Sequence, residues 1–274
     1  MRRSVVISKC LFFPPQKVRQ RITHFKMLFK AVSCRPNQVK SLIELLYANT
    51  DTVFFKIDKD AMHFVHNMDD VYVQAELSAL GFQTYEFNDD NPVYVGLGQH
   101  TARDFKSVKK GSTVNFKLTG SEPILFEVMV GPHSHGGGSV TFTTAVETFR
   151  SDFSHAPEIK YEHSFQFSNS DFSAMCRGFK PGIMTIEGQS GKFLSMSMCV
   201  EGFKTKKYIL GEETNVLDYN FHFELPSDRI LKLAKMSAFA NKKYGVRVHV
   251  EKDKPIMFRA ECESGFIEVY ITTS

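Results

Sequence analysis

The sequence predicts an α+β chain made of two topologically similar domains, each with two helices packed on antiparallel sheets. Three observations lead there. Short runs rich in β-branched and aromatic residues, separated by glycine or charged turns, fill most of the chain. Four segments break that pattern with apolar residues at helical spacing, and the order strand, helix, strands recurs with each. With 274 residues and 42% apolar content, the chain can bury one large core or two modest ones, with no need of disulfides or a metal to fold.

Taken in order, residues 1–26 are basic and acid-free, and Pro14-Pro15 breaks them in the middle. They read as a flexible basic extension; an organelle transit peptide is the compositional alternative, and Lys9 interrupts any secretory apolar run. Met27 to Ser33 reads as a strand. Residues 36–49 read as a helix, with Val39, Leu42, Ile43 and Leu46 on one face, Lys40 off that face and Pro36 in the first turn. Strands are expected at 52–57, 61–66, 71–77, 82–87 and 93–97. A second helix is expected over 99–110, Ala102, Phe105 and Val108 facing in and Arg103, Lys106 and Lys110 forming a basic row. Strands at 113–118, 124–130 and 140–146 complete a first domain over 27–146. The Gly131 to Gly138 stretch contains His133 and His135, which read as part of a hairpin tip because no further ligand is near.

Residues 147–160 show neither period and read as the connector. The second domain, 161–274, opens with a strand at 161–168 and a third helix at 169–180. There Phe172, Met175, Cys176 and Phe179 share one face and Arg177 points away, and Lys180-Pro181-Gly182 ends the helix. Strands at 183–187, 192–198, 206–210 and 219–225 follow. A fourth helix starts at Pro226-Ser227-Asp228, with Ile230, Leu233 and Ala234 inward and Arg229, Lys232 and Lys235 three apart on the other side. Strands at 246–251, 256–263 and 266–272 end the chain.

The formal net charge of +4 hides its distribution. Residues 1–26 carry seven Lys/Arg and no acid, so the rest holds 27 basic against 30 acidic residues. The four stretches that hold the expected helices (35–49, 99–110, 169–180 and 226–243) contain 13 basic and 4 acidic of these. Such helices are suited to face a polyanion, while helices that merely face water would also collect charge, and composition does not choose between the two. The basic rows lack interleaved aromatics, which suits phosphate contact rather than stacking on single-stranded bases. The five cysteines show no CxxC spacing and read as reduced, buried thiols of an intracellular protein. No apolar run is long enough to cross a bilayer, so no membrane partner is expected. Motif chemistry is absent: no GxxxxGK[ST], no GxSxG, no HExxH. The pairs Asp69-Asp70 and Asp89-Asp90 and the histidines His63 and His66 read as turn or surface residues. No catalytic residue, metal site or cofactor is expected.

Three stretches carry a family resemblance: Gly81-Phe82-Gln83-Thr84-Tyr85, the D-F-x-x-x-C-R pattern from Asp171 to Arg177 with the strand opening at Lys192-Phe193, and Pro255 through Gly265-x-x-x-x-Tyr270. Over Met27 to about Thr273 the chain resembles the DNA sliding clamps typified by proliferating cell nuclear antigen (PCNA). The resemblance implies the DNA-clamp fold, three chains closing into a homotrimeric ring, helices lining the hole, and a processivity factor that encircles duplex DNA and tethers DNA polymerase, other replication proteins and a clamp loader. It places Lys40, Arg103, Lys106, Arg177 and Lys235 toward double-stranded DNA; Lys110, Arg229 and Lys232 join them on helical geometry alone. Ala174 stands where clamps often carry another basic residue, which weakens the third helix as a contact. It places Met68, Tyr72, Phe153, Pro255 and Tyr270 around a pocket for clamp-binding peptides. Ring closure would pair the 124–130 strand, with Ile124, Phe126 and Val128, against 206–210 of a neighbour, with Tyr208 and Leu210. It also implies work in the nucleus or a viral replication compartment; the divergence points to a large DNA virus or a distant eukaryotic lineage. The rivals are a subunit of a hetero-trimeric DNA-damage checkpoint clamp, a monomeric or dimeric viral processivity factor, and a protein-interaction module with no DNA role.

Overall fold

The computed structural model describes residues 26–68, 70–98, 103–109, 111–120, 123–132, 138–148, 158–200, 204–211 and 220–273. The basic extension up to residue 25, Ala102, Lys110, the His133 and His135 tip, Asp69, and Phe153 with most of the connector lie outside them.

The first half runs β1 (Lys26–Ser33), α1 (Pro36–Asn49), β2 (Thr52–Ile57), β3 (Ala61–Met68), β4 (Val71–Ser78), a 3-10 turn (Ala79–Gly81), β5 (Thr84–Phe87), β6 (Val93–Gly98), a 3-10 turn (Phe105–Ser107), β7 (Ser112–Gly120), β8 (Leu125–Pro132), β9 (Val140–Ala145) and β10 (Glu147–Thr148). The second runs β11 (Phe165–Phe167), α2 (Asn169–Gly178), β12 (Ile183–Gln189), β13 (Phe193–Val200), β14 (Lys204–Gly211), β15 (Phe221–Pro226), α3 (Ser227–Leu231), a 3-10 turn (Lys232–Lys235), α4 (Met236–Phe239), β16 (Val246–His249), β17 (Ile256–Cys262) and β18 (Gly265–Ile271).

The pairing repeats. The order β1-β7-β8-β9 in the first half recurs as β11-β16-β17-β18 in the second, and β6-β2-β3-β4 recurs as β15-β12-β13-β14. The halves join where β4 pairs with β18, from Val71↔Ile271 to Leu77↔Gly265, which makes a sheet of nine described strands through both. This junction forms because β4 and β18 both alternate, burying Val71, Val73, Ala75 and Leu77 beside Ile267, Val269 and Ile271. At Gly265, φ is +145° and an added Cβ would lie 1.8 Å from Glu76 O, so only glycine fits the start of β18.

The helices pack on the sheets, α1 on β2 and β7, α2 on β11 and α4 on β17. On α1, Val39, Leu42, Ile43, Leu45 and Leu46 are buried, and Pro36 begins the helix. On α2, Phe172, Met175 and Cys176 are fully buried; burial also pushes the Cys176 thiol up to about 12, so it stays neutral. Ser168 caps this helix, accepting from Asp171 N at 3.1 Å. The helix ends at Gly178, two residues short of the expected end, and Phe179 is extended yet still buried.

Other expectations need correction. In place of a full second helix, the described residues show two helical positions and the 3-10 turn Phe105–Ser107; Phe105 and Val108 are buried as expected. The fourth helix is interrupted by the 3-10 turn Lys232–Lys235. The strand expected over 161–168 is confined to Phe165–Phe167, because Tyr161 and its neighbours are engaged elsewhere: Tyr161 OH donates to Pro255 O at 2.6 Å, and Glu251 accepts from Glu162 N at 2.6 Å. Cys34 and Cys199 are exposed rather than buried. His63 is more than a surface residue, since its ring lies between Asp58 (3.2 Å) and Glu76 (3.4 Å).

Candidate nucleic-acid interface

The helical segments of the two halves touch one another. α1 packs on α4 and on the 3-10 turns at 105–107 and 232–235, and α2 packs on the 227–239 segment. Between them runs an open groove of about 760 Å³. Lys40 and Glu44 from α1, Lys109, Arg177 from α2, Lys235 and Lys242 line it, with small polar groups from Asn37, Ser168 and Ser170 between. Five cations thus meet one carboxylate among the described lining residues.

Of the residues expected to face DNA, Lys40, Arg177 and Lys235 are brought together here. Lys40 Nζ donates to Lys106 O (3.3 Å) and Val108 O (3.0 Å), which ties the 105–109 segment to α1. Lys235 Nζ lies 2.5 Å from Glu44 Oε2, so it is partly neutralised. Arg103 and Lys106 are exposed and Lys232 is half-buried, all on the same layer but outside the groove. Arg229 is not brought to it: its guanidinium pairs with the carboxylate of Asp70, between β3 and β4, at 2.9 Å. Lys109 and Lys242 are groove residues that sequence reasoning missed. Each lies just past a helical segment, and the Asn241 turn, in which Gly245 N donates to Asn241 O at 2.9 Å, brings Lys242 back beside α1.

A second site lies on the opposite face. Tyr72 and Tyr270 are cross-strand partners on β4 and β18, alternating with inward Val71, Val73, Val269 and Ile271, so both rings point away from the helices. With Met68, Asp70, Ile159 and Pro255 they line an apolar pocket of about 240 Å³. Met68, Tyr72, Pro255 and Tyr270 were expected together; Ile159, from the end of the connector, was not. The two rings stand edge to face at 6.0 Å, and Tyr270 OH donates to Glu268 at 2.9 Å. Burial and then the Glu268 carboxylate push the Tyr72 phenol up to about 12, and the same two causes raise Tyr270, so both remain hydrogen-bond donors at neutral pH.

The strand edges correct one expectation. β8 pairs on both sides, with β7 and β9, and Phe126 and Val128 are buried in the chain's own core, while Ile124 precedes the strand and its carbonyl accepts from Val146 N at 2.9 Å. The edge is therefore β9. In the other half β14, which carries Tyr208 and Leu210, lies at an edge of its sheet among the described strands, as expected. Val140 on β9 and Ile209 on β14 are exposed.

Superposition on solved structures pairs the chain with the proliferating cell nuclear antigen of Entamoeba histolytica at a TM-score of 0.74, across 91% of this chain and 100% of that one, with 13% identity. The fold is that of a PCNA clamp. The uncharacterized protein 084R of Frog virus 3 (isolate Goorha) is 26% identical over 220 residues, 78% of this chain and 87% of that protein, so a large DNA virus encodes a relative of this PCNA-like chain. No protein-family model matches. The two repeats, the helical segments and the sheet of nine described strands through both halves thus match one known fold, and the groove lies among the helical segments.

Proposed function

We propose that the chain is a sliding clamp, a processivity factor that surrounds duplex DNA without reading its sequence and tethers DNA polymerase and other replication proteins. The observation that carries this reading is the groove, in which Lys40, Lys109, Arg177, Lys235 and Lys242 from both halves converge on the helix layer of a PCNA fold. Lysines and arginines spaced along helices contact phosphates, which are the same at every base pair, so the contact allows sliding and weakens with salt.

Ring closure has a template within the chain. β4 and β18 are the outer strands of their repeats and pair with each other. Their equivalents in the opposite repeats, β14 and β9, have no second partner among the described strands. A second copy offering β9 to β14 would repeat the internal junction between chains, a head-to-tail contact that closes into a ring; a homotrimer is the form we propose. The tyrosine pocket would take short peptides with aromatic anchors from polymerase and other replication partners, as aromatic anchors fill apolar pockets. A clamp loader would open the ring, and the work would take place in the nucleus or a viral replication compartment. The clamp acts as a scaffold and needs no cofactor for this.

The test is charge reversal at exposed groove positions. With Lys109→Glu, Arg177→Glu and Lys242→Glu combined, affinity for a linear duplex at low salt falls at least about tenfold, and the log–log salt slope shrinks by about 0.9 per lost phosphate contact. Unchanged affinity and slope would leave a protein-interaction module with no DNA role as the better reading.

A further inference from the structure

Arg229 sits three residues from Lys232 on a basic row, yet its environment differs from that of the groove cations. Its side chain is 22% exposed, its Nη2 is 2.9 Å from Asp70 Oδ2, and its Nε is buried. The segment that carries it is fixed at its start: Ser227 is fully buried, Ser227 Oγ donates to Lys180 O at 2.6 Å, Ser227 N donates to Gly182 O at 2.8 Å, and Ile230 is fully buried. Asp70 at the other end lines the tyrosine pocket. Its carbonyl accepts from both Thr272 N and Thr272 Oγ1, each at 2.9 Å, and Thr272 also lines the pocket. Arg229 therefore reaches from the second half's helix layer, across the β4–β18 junction, to the turn of the first half that carries Met68 and leads into Tyr72.

We propose that Arg229 is a positioning residue of the partner-peptide pocket and not a DNA contact: it acts through Asp70 to hold that residue and the neighbouring lining residues Met68 and Tyr72 in the arrangement that receives an apolar anchor. This rests on the peptide-pocket reading above. Val71 and Tyr72 are held to β18 by the ladder and Asp70 O by Thr272; the Arg229 guanidinium adds a side-chain tie to Asp70 from a helical segment, so a peptide meets a wall already in place. A cation committed to a partly buried carboxylate also has its charge neutralised and contributes no released counterion to DNA binding.

The experiment compares full-length wild type, Arg229→Gln, Arg229→Lys and the exchanged pair Arg229→Asp with Asp70→Arg. The peptide probe is one carrying two adjacent phenylalanines, selected by display on the wild-type chain and dependent on Tyr270. The expected result for Arg229→Gln is a loss of peptide affinity of about threefold to tenfold, faster amide hydrogen exchange at residues 67–72 and Thr272, and unchanged duplex affinity and salt slope. Arg229→Lys and the exchanged pair recover part of the peptide affinity, which general loss of stability would not allow. Equal peptide affinity and exchange in Arg229→Gln overturn the role of Arg229 while leaving the pocket intact. A reduced salt slope in that variant makes Arg229 a DNA contact and overturns the proposal from the other side. Selection that yields no Tyr270-dependent peptide overturns the pocket reading, and the proposal with it.

Discussion

Glu44 is the perturbation that most sharply separates a DNA groove from an ordinary charged surface. Its carboxylate lies 2.5 Å from Lys235 Nζ inside a groove whose other charged lining residues, among those described, are cations. At about 4 Å, two unit charges interact by about 1 kcal/mol in water and about 4 kcal/mol at an effective dielectric of 20. The Lys235 side chain is 48% exposed, so solvent screening and side-chain entropy bring the net value down to about 0.2–1 kcal/mol. Glu44→Gln keeps the volume, removes the competitor and frees Lys235 for a phosphate. Affinity for a linear duplex should rise by up to about fivefold, and the log–log salt slope should steepen by about 0.9. Fluorescence anisotropy over a salt series reads both. A double-mutant cycle sharpens it: Lys235→Gln costs little in the wild type and more in the Glu44→Gln background. An unchanged slope, or weaker binding in Glu44→Gln, would refute the reasoning, the second outcome meaning that Glu44 aims Lys235 at DNA and does not occupy it.

Three further outcomes are expected. Val140→Asp or Ile209→Asp, at exposed positions on the open edges, should leave the fold intact and shift assembled particles to single chains in sedimentation; an unchanged particle mass would remove β9 and β14 from the contact. Burial alone would raise Glu251, yet Lys254 (2.5 Å) and the N–H groups of Glu162 and His163 outweigh it and hold the carboxyl below its usual 4.5. Its contribution is therefore complete above that value and lost as pH falls through the lower folded-state value, so the melting-temperature gap between wild type and Glu251→Gln should be widest near neutrality and close on acidification below 4.5; a constant gap contradicts the assignment. Gly265→Ala should cost about 2 kcal/mol or more in denaturant unfolding, since its φ of +145° and the Glu76 carbonyl leave no room for a Cβ; wild-type stability would show that the β4–β18 junction relaxes easily.

The parts of the fold that depend on local periodicity were legible in the sequence. Val39, Leu42, Ile43 and Leu46 form a helical stripe because one face of α1 meets the core, and the same holds for Phe172, Met175 and Cys176. The 99–110 segment misled because Ala102, Phe105 and Val108 are three apart, a spacing that fits a 3-10 turn as well as an α-helix. Phe126 and Val128 were assigned to a subunit contact and are buried in the chain's own core, because period two records which face a residue takes and nothing about what lies beside its strand. The edge thus passed to β9, whose sequence Val-Thr-Phe-Thr-Thr-Ala has only a weak stripe.

The candidate sites divide in the same way. Lys40, Arg177 and Lys235 could be read from helix faces, since position on a helix sets direction. Lys109 and Lys242 could not, because turns past the helical segments carry them into the groove. Arg229 shares its spacing with Lys232 and Lys235, and only the fold reveals that Asp70, remote in sequence, lies beside it. In the tyrosine pocket, Tyr72 and Tyr270 were placed by the family resemblance, and the structure turns both outward as cross-strand partners on β4 and β18, whereas Ile159 arrives from a connector without periodicity.

The solution mass of the purified full-length chain tests the ring most directly. One chain weighs 31.2 kDa, and a closed clamp at micromolar concentration should weigh three times that, with Ile209→Asp reducing it to one. A wild-type particle that stays at 31.2 kDa at every concentration would contradict a ring of identical chains around DNA.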